Sequence, residues 1–299
     1  MGKQTKISGS NFGGQWTKEK LTVIEDYLNF YVRALSKQRV KLIYIDGFAG
    51  SGTTVLKDGS TVPGSAVIAL NCDFDEYYFI EIDGGRRNEL TEIINERFPE
   101  KWPKIKLIGE DCNKSLLQVL SSLSVYKRGV MFLDPYALEL DWTILEAASK
   151  THILDVWYLF PLNALVRNLK KDKKPNEATA KTIDIILGTH DWEGELYKKS
   201  AQGSLFGDEL YERIDFESLV TYIKKRLGET FAYVSPKSRI LKNRNNSPLF
   251  ILCFMMSNPS AKATGLGDKV VTQIFGKLDK MAKEPENNYE DDQPTLFDL

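Results

Sequence analysis

A glycine-rich segment that follows an apolar run is the first place where the sequence could bind a ligand. Asp46-Gly47-Phe48-Ala49-Gly50-Ser51-Gly52 begins where the run KLIYID ends. Glycines at the end of a strand let a ligand approach the backbone closely. The third glycine of a dinucleotide-binding loop is missing, and residues 53–63 separate the segment from the next helical pattern. The segment therefore indicates a ligand-binding loop, with ordinary turn chemistry as the alternative.

Carboxylates follow the next two predicted strands. Glu81 and Asp83 end the pattern YYFIEID, where an acid can accept hydrogen bonds from both hydroxyls of a ribose. Strand alternation puts both side chains on one face, so the sequence leaves open which one binds, and a solvated strand end is the alternative. Asp111 and Cys112 lie in GEDCN after the third strand, where a carboxylate or the backbone can bind an adenine amino group. Asp111 or Asn113 could equally cap the next helix.

The segment Asp134-Pro135-Tyr136 follows the fourth predicted strand and combines a carboxylate, a residue without an N–H group and an aromatic ring. The acid and a free carbonyl can accept hydrogen bonds from a planar amine, while the ring stacks on it. A tight turn with a packed tyrosine is the alternative. Because ligand sites in open α/β sheets gather at the carboxyl ends of strands, the four segments predict one nucleoside-shaped cleft.

The elements that must position these segments alternate between strand and helix patterns. Five apolar runs separated by amphipathic helices predict a mostly parallel sheet covered on both faces. Two later runs, FAYVSPKSRIL and PLFILCFMMS, flank the polar loop KNRNNS and predict an antiparallel hairpin near the C-terminus. This inventory predicts an α/β, Rossmann-like class I methyltransferase sheet. The runner-up is an ordinary Rossmann dehydrogenase, a nicotinamide-dependent oxidoreductase that lacks the hairpin.

Composition divides the chain into three regions. Residues 1–15 read as a flexible arm, 16–283 as the methyltransferase-like domain with a polar insertion at about 170–215, and 284–299 as a disordered acidic tail. Thr17 is the predicted N-cap of the first helix. The 299 residues carry a net charge of −1. Six acids and no Lys or Arg lie in the tail, so the rest of the chain carries +5.

Several classes of protein are disfavoured by the composition. Three separated cysteines without a CxxC pair argue against a disulfide framework or a zinc site, and two histidines argue against a multi-histidine metal site. The polar start has no signal-peptide core, and the run PLFILCFMM is too short to span a bilayer. We therefore expect a cytoplasmic protein without metal and without membrane attachment.

The motifs resemble those of Rossmann-fold S-adenosylmethionine methyltransferases that act on nucleobase amino groups. A closer resemblance is to the three-Cys-motif partner protein family (TcmP), carried by YLNFYVRAL, IDGFAGSG, GSAVIAL, FLDPYALELDW and VWYLFPLNALVRNL. It covers roughly residues 15 to 260. One proline in Asp134-Pro135-Tyr136, rather than two, departs from the base-amine pattern, which leaves the methyl acceptor open.

The resemblance implies S-adenosylmethionine as cofactor and a radical-SAM-like partner protein with a three-cysteine motif. The candidate cofactor-binding residues are Asp46, Gly47, Phe48, Ala49, Gly50, Gly52, Glu81, Asp83, Asp111 and Cys112. The candidate catalytic residues are Asp134, Pro135 and Tyr136. The candidate substrate-binding residues are Asn163, Arg167, Lys237 and Arg239, of which the cations could contact phosphates of nucleic acid. The implied function is methyl transfer to a base nitrogen of DNA or RNA.

A short pattern near the C-terminus resembles the peptide with which bacterial proteins bind the DNA polymerase sliding clamp. It consists of Gln293, Leu296 and Phe297, and residues 202–206 match the same pattern. A tail that presents a glutamine and two apolar anchors suits a pocket on a partner. The alternative to an enzyme is therefore a non-catalytic adaptor that keeps the methyltransferase fold and is recruited to the clamp.

Overall fold

A mostly parallel β-sheet forms the centre of the protein. The computed structural model describes residues 14–56, 58–171, 174–199, 211–243 and 245–282. The parallel strands are β1 (Lys41–Asp46), β4 (Glu76–Ile80), β5 (Ile105–Ile108), β6 (Lys127–Leu133) and β7 (Leu154–Phe160). The antiparallel strands at the far edge are β10 (Tyr233–Val234), β11 (Arg239–Lys242) and β12 (Pro248–Met256). Two small antiparallel sheets pair β2 (Thr53–Val55) with β3 (Thr61–Pro63), and β8 (Tyr197–Lys199) with β9 (Tyr211–Arg213).

The strand order confirms the predicted fold class. It runs β10-β12-β7-β6-β1-β4-β5, with β11 also paired to β12. The chain moves from β1 through β4 to β5 on one side, and then crosses back to β6 and β7 on the other. The order therefore reverses between β1 and β6, and in open α/β sheets the crevice at such a reversal is where ligands bind.

Helices cover both faces of the sheet. One layer contains α1 (Gln15–Leu35), α2 (Ser65–Leu70), α3 (Gly84–Arg97) and α10 (Ala261–Met281). The other contains α4 (Cys112–Ser121), α5 (Trp142–Lys150), α6 (Leu162–Asn168), α7 (Glu177–Leu187), α8 (Trp192–Leu196) and α9 (Phe216–Thr230). A 3₁₀ helix, Pro99–Lys104, precedes β5. The central parallel strands β1, β6 and β7 are buried on both faces over most of their length, which explains their nearly continuous apolar sequences.

The segment predicted as a polar insertion contributes to the core. Ile183 and Leu187 of α7, together with Trp192 and Leu196 of α8, are buried with the residues beneath α5 and α9. Its polar composition therefore reflects the outward faces of short elements that still contribute a buried apolar side.

Two local predictions differ from the structure. The first helix begins at Gln15, and its N-cap is Gly14, three residues before the predicted cap Thr17. The Thr17 backbone N–H donates to the Gly14 carbonyl. The run FAYVSPKSRIL forms two short strands rather than one, because Pro236 has no N–H for the ladder and the chain bends between β10 and β11. The hairpin of β11 and β12 is antiparallel, as predicted.

A buried hydrogen bond joins α1 to the sheet. The Tyr27 hydroxyl donates to Asp155 of β7 over 2.7 Å. Burial raises the pKa of Asp155 from 3.8 to about 7.

None of the helices in the described part of the chain combines the length and apolar character needed to cross a bilayer.

We expect the variant Asp155→Asn to change how stability depends on pH. The raised pKa means that the folded state holds the Asp155 proton more tightly than the unfolded state, so folding stability falls as pH rises from about 4 to about 7. The asparagine does not titrate and can still accept from Tyr27. Between pH 5 and pH 8 the variant should gain about 3 kcal/mol relative to the wild type, with one pKa unit worth about 1.4 kcal/mol.

Urea unfolding of both proteins at the two pH values measures this difference. Equal pH dependence of the two proteins would show that Asp155 is not a buried titrating group.

Candidate functional site

The loop after β1 is held by its neighbours on both sides. The Gly47 N–H donates to the Phe132 carbonyl of β6, and the Ala49 N–H donates to the Ile80 carbonyl of β4. Asp46 accepts from the Phe48 N–H over 3.1 Å, which tightens the turn. The loop therefore spans the crevice at the reversal of strand order.

Asp46, which the sequence suggests as a cofactor contact, is 0% exposed and lines none of the described cavities. Its side chain also accepts from the Tyr44 hydroxyl beneath the loop. Burial raises its pKa to about 6, and the nearby Asp134 charge adds to the shift. Asp46 therefore shapes the loop from below, and its contact with a cofactor stays a prediction.

Glu81 joins the loop after β1 to the loop after β4. One carboxylate oxygen accepts from the Gly50 N–H and the other from the Asp83 N–H, both over 2.9 Å. The side chain is 7% exposed and lines two cavities. A carboxylate oxygen has two acceptor sites, so each oxygen keeps one for a ligand hydroxyl.

Asp83 and Asp111 occupy the N-caps of α3 and α4. The Asp83 carboxylate accepts from the Arg86 N–H over 2.8 Å, and the Asp111 carboxylate accepts from the Lys114 N–H over 3.1 Å. These bonds distinguish Glu81, which points into the crevice, from Asp83, which is exposed at a helix start. Asn113 does not cap α4; it bridges the Glu139 carbonyl and the Asp141 N–H.

Asp134 contacts a lysine that lies 114 positions earlier in the chain. Lys20 of α1 donates a hydrogen bond to the Asp134 carboxylate, and its side chain is 11% exposed. The Lys20 ammonium also lies 5.1 Å from the centroid of the Trp16 ring. The only sequence signal was a lysine beside Leu21 on the apolar face of the predicted helix.

Tyr136 extends across the mouth of the crevice. Its side chain is 51% exposed, and the Arg86 guanidinium lies 4.9 Å from its ring centroid. Partial burial raises the pKa of its hydroxyl, so the ring is neutral near pH 7. Because Arg86 starts α3 and Tyr136 follows β6, the pair bridges the two sides of the crevice.

Three adjoining cavities lie along this edge of the sheet. The central cavity, about 510 Å³, is lined by the glycine loop, Glu81, Lys20 and Asp134. The side cavity, about 350 Å³, lies between the loops after β4 and β5. The outer groove, about 1200 Å³, runs between α6, the hairpin of β11 and β12, and α10. Tyr136 lines all three.

Most predicted site residues line one of these cavities. The central cavity has Phe48, Ala49, Gly50, Gly52, Glu81, Asp134, Pro135 and Tyr136 on its wall. The side cavity has Gly47, Phe48, Glu81, Asp83, Asp111, Cys112 and Tyr136. The outer groove has Asn163, Arg167, Lys237 and Arg239. The structure thus brings the predicted residues to one continuous edge, with Asp46 the exception.

Two of the lining residues have little freedom to react. Burial raises the pKa of Cys112 to about 12, so its thiol stays protonated. The Arg239 guanidinium binds Glu19 of α1 and Asp279 of α10, each over 2.7 Å. Arg239 therefore ties two helices to the hairpin, and its phosphate contact remains a prediction. In the described ranges, no group of three His, Cys, Asp or Glu side chains is placed to hold a metal ion.

Comparison with known proteins supports the fold. No family model matches this chain, and no curated protein matches it. Protein LPL1258 of Legionella pneumophila, a DUF519 family protein, shares the fold with a TM-score of 0.51 and 15% identity over 88% of this chain and 93% of its own. The methyltransferase domain of bacterial CtHen1 has a TM-score of 0.37 and 14% identity over 78% of this chain and 100% of its own.

The N-terminal domain of EvdMO1, solved in the presence of SAH and D-fucose, has a TM-score of 0.39 and 8% identity over 78% of this chain and 82% of its own. The similarity to protein LPL1258, at 15% identity, shows a shared fold and nothing about function. Together with the strand order, it shows an α/β, Rossmann-like fold with a mostly parallel sheet and antiparallel strands at one edge.

Replacing Gly52 with alanine should destabilise the protein more than replacing Gly50. Both glycines have positive φ, +82° and +64°, so alanine is strained at either position. A Cβ at Gly52 would lie 2.9 Å from Leu90, whereas a Cβ at Gly50 meets nothing within 4 Å. We expect a loss of about 1 kcal/mol for Gly50→Ala from strain, and about 1–3 kcal/mol more for Gly52→Ala from overpacking. Urea unfolding compares the two, and equal losses would contradict the packing around Gly52.

Proposed function

We propose that this protein is an S-adenosylmethionine-dependent methyltransferase that modifies an amino nitrogen of a nucleobase in DNA or RNA. One observation carries the proposal. At the reversal of strand order, a single cavity is lined by the glycine loop, by the partly free carboxylate of Glu81, and by Asp134 and Tyr136. These are the groups that a nucleoside cofactor and a planar amine require.

The residues of the central and side cavities fit the cofactor. A Cβ at Gly50 would project into open space, so this glycine leaves room for a ligand against the backbone. Glu81 keeps an acceptor site on each oxygen, which suits two ribose hydroxyls. Asp111 and the half-buried Cys112 line the adjoining side cavity, which suits a purine ring. When bound, the cofactor supplies a methyl group on a sulfonium.

Asp134 orients the acceptor. Its carboxylate accepts a hydrogen bond from Lys20, so it already holds an N–H donor inside the cavity. An amino group of a base can replace that donor, and Asp134 can take up the proton that the amine loses. Tyr136 offers a ring face beside it for stacking. The protein thus mainly aligns the acceptor and excludes water.

A second candidate function is the non-catalytic adaptor. It is supported by the single proline after Asp134 and by the clamp-like pattern at Gln293, Leu296 and Phe297, which lies outside the described residues, as does the second match at 202–206. We also propose a partner protein with a three-cysteine motif, and this part of the proposal rests on the family resemblance alone. Deleting 284–299 should remove biological activity if the protein is an adaptor, whereas Asp134→Ala should leave it intact.

Glu81→Gln should weaken binding of S-adenosylmethionine at least tenfold. The substituted amide has one oxygen instead of two, so it cannot accept from the Gly50 and Asp83 N–H groups and from two ribose hydroxyls together. Glu76→Gln is the matched control, because it is the same substitution at the opposite end of β4, and Glu76 lines none of the three cavities. Titration calorimetry measures both. Wild-type protein that is folded and does not bind the cofactor at high micromolar concentration would end the proposal.

Asp134→Asn should retain cofactor binding within about threefold and lose methyl transfer by at least about 100-fold, the usual size of a general-base contribution. The amide keeps the shape of the side chain but cannot take up a proton. Transfer of label from S-adenosylmethionine into a panel of DNA, RNA and protein, with and without the three-cysteine partner, measures the loss. Full transfer by this variant would remove Asp134 from the reaction.

A further inference from the structure

Aromatic rings line the boundary that the outer groove shares with the central cavity. Trp16 and Phe250 line both spaces, and their ring centroids are 5.2 Å apart at 31°. Tyr136 lines both spaces as well. Trp16 and Phe250 therefore pack against each other and form one aromatic wall at the boundary of the two spaces, along which a flat group can stack. Aromatic faces of this kind stack on any base and do not depend on its sequence.

The wall of the groove carries positive charge that the described residues leave uncompensated. Arg167, Lys237 and Lys242 are exposed on it, and none of them pairs with a carboxylate in the described part of the chain. The two acids on the same wall, Glu19 and Asp279, both bind Arg239. Three cations can bind the phosphates of a nucleic acid, and the neighbouring aromatic wall can stack on its bases.

The position of Asp134 favours a strand over a duplex. Its carboxylate is only 20% exposed and lies inside the central cavity, beyond the rings. The amino group of a paired base is engaged inside a duplex, and a base must leave the stack to enter a closed pocket. The groove, about 1200 Å³, has room for the flanking nucleotides along its cationic wall.

We propose that the outer groove binds a single-stranded segment of nucleic acid, and that one base passes Trp16 and Phe250 to stack on Tyr136 near Asp134. This inference rests on the proposed function and names the form of its substrate. Lys237, Lys242 and Arg167 contact phosphates, Tyr136 holds the inserted base, and Arg239 positions the hairpin through Glu19 and Asp279. The groove itself binds the strand whether or not the cofactor is present.

The test uses the full chain and fluorescence anisotropy with a labelled mixed-sequence strand of about 12 nucleotides, a length within the usual site size. The strand is measured as DNA, as RNA and as the blunt duplex. We expect at least tenfold tighter binding of a single strand than of the duplex. The variant Lys237→Ala/Lys242→Ala should lower the slope of log K against log salt by about 1.4, which is about 0.7 for each lost phosphate contact.

Two matched controls separate this site from general surface effects. Tyr136 follows β6 and Tyr126 precedes it, so these two exposed tyrosines lie at opposite edges of the sheet. We expect Tyr136→Ala to weaken strand binding about tenfold and Tyr126→Ala to leave it unchanged. Lys150 ends α5 at the edge away from the groove, so Lys150→Ala should not change the salt slope.

Equal affinity for strand and duplex, or equal effects of the two tyrosine variants, would overturn the inference. Calorimetry with S-adenosylmethionine on the same preparation separates the two proposals. Cofactor binding without strand binding overturns only the groove assignment. Strand binding that follows the expected pattern, without cofactor binding, supports the groove assignment and overturns only the methyltransferase proposal.

Discussion

The reversal of strand order between β1 and β6 is the constraint on which the rest of the site depends. Parallel strands require long crossovers, and these crossovers leave β1 and β6 toward opposite faces of the sheet. The two loops therefore separate and open a crevice at their carboxyl ends. Backbone bonds from Gly47 to Phe132 and from Ala49 to Ile80 hold the glycine loop across that crevice. Glu81 then fixes the loop from the next strand.

The sequence predicts this edge of the sheet well because its signals are local. Each strand is a continuous apolar run, and the glycines, acids and aromatic residue come directly after such runs. The direction of the Asp46 side chain cannot be predicted from such local signals. A carboxylate at a strand end can point up to a ligand or down beneath the loop, and the choice depends on whether a partner such as the Tyr44 hydroxyl lies below. The residue pattern does not contain that information.

The groups that the sequence does not reveal come from contacts between distant segments. Lys20 and Asp134 are 114 positions apart, and Glu19 and Arg239 are 220 apart. Each contact depends on how α1 lies against the sheet, which is decided by packing and not by local propensity. Residues 235–244 contain no carboxylate, so the sequence suggests that the Arg239 charge is available for a phosphate. The structure places two carboxylates from other elements against it.

Helix α1 contributes residues both to the hydrophobic core and to the site. Leu21, Ile24 and Leu28 are buried against the sheet and fix the rotation of the helix. Glu19 and Lys20 lie three and four residues after Trp16, so both are neighbours of Trp16 on one side of the first turns of the helix. That one surface supplies the aromatic wall, the partner of Arg239 and the donor to Asp134.

A partly buried carboxylate without a partner is costly, so Lys20 stabilises Asp134 while no acceptor is bound. In the proposed reaction an acceptor amine would displace the Lys20 ammonium from Asp134, so a neutral donor would replace a charged one. Helix α1 therefore sets the free-energy cost of admitting such an acceptor, because displacing Lys20 would leave its partly buried charge without the Asp134 partner.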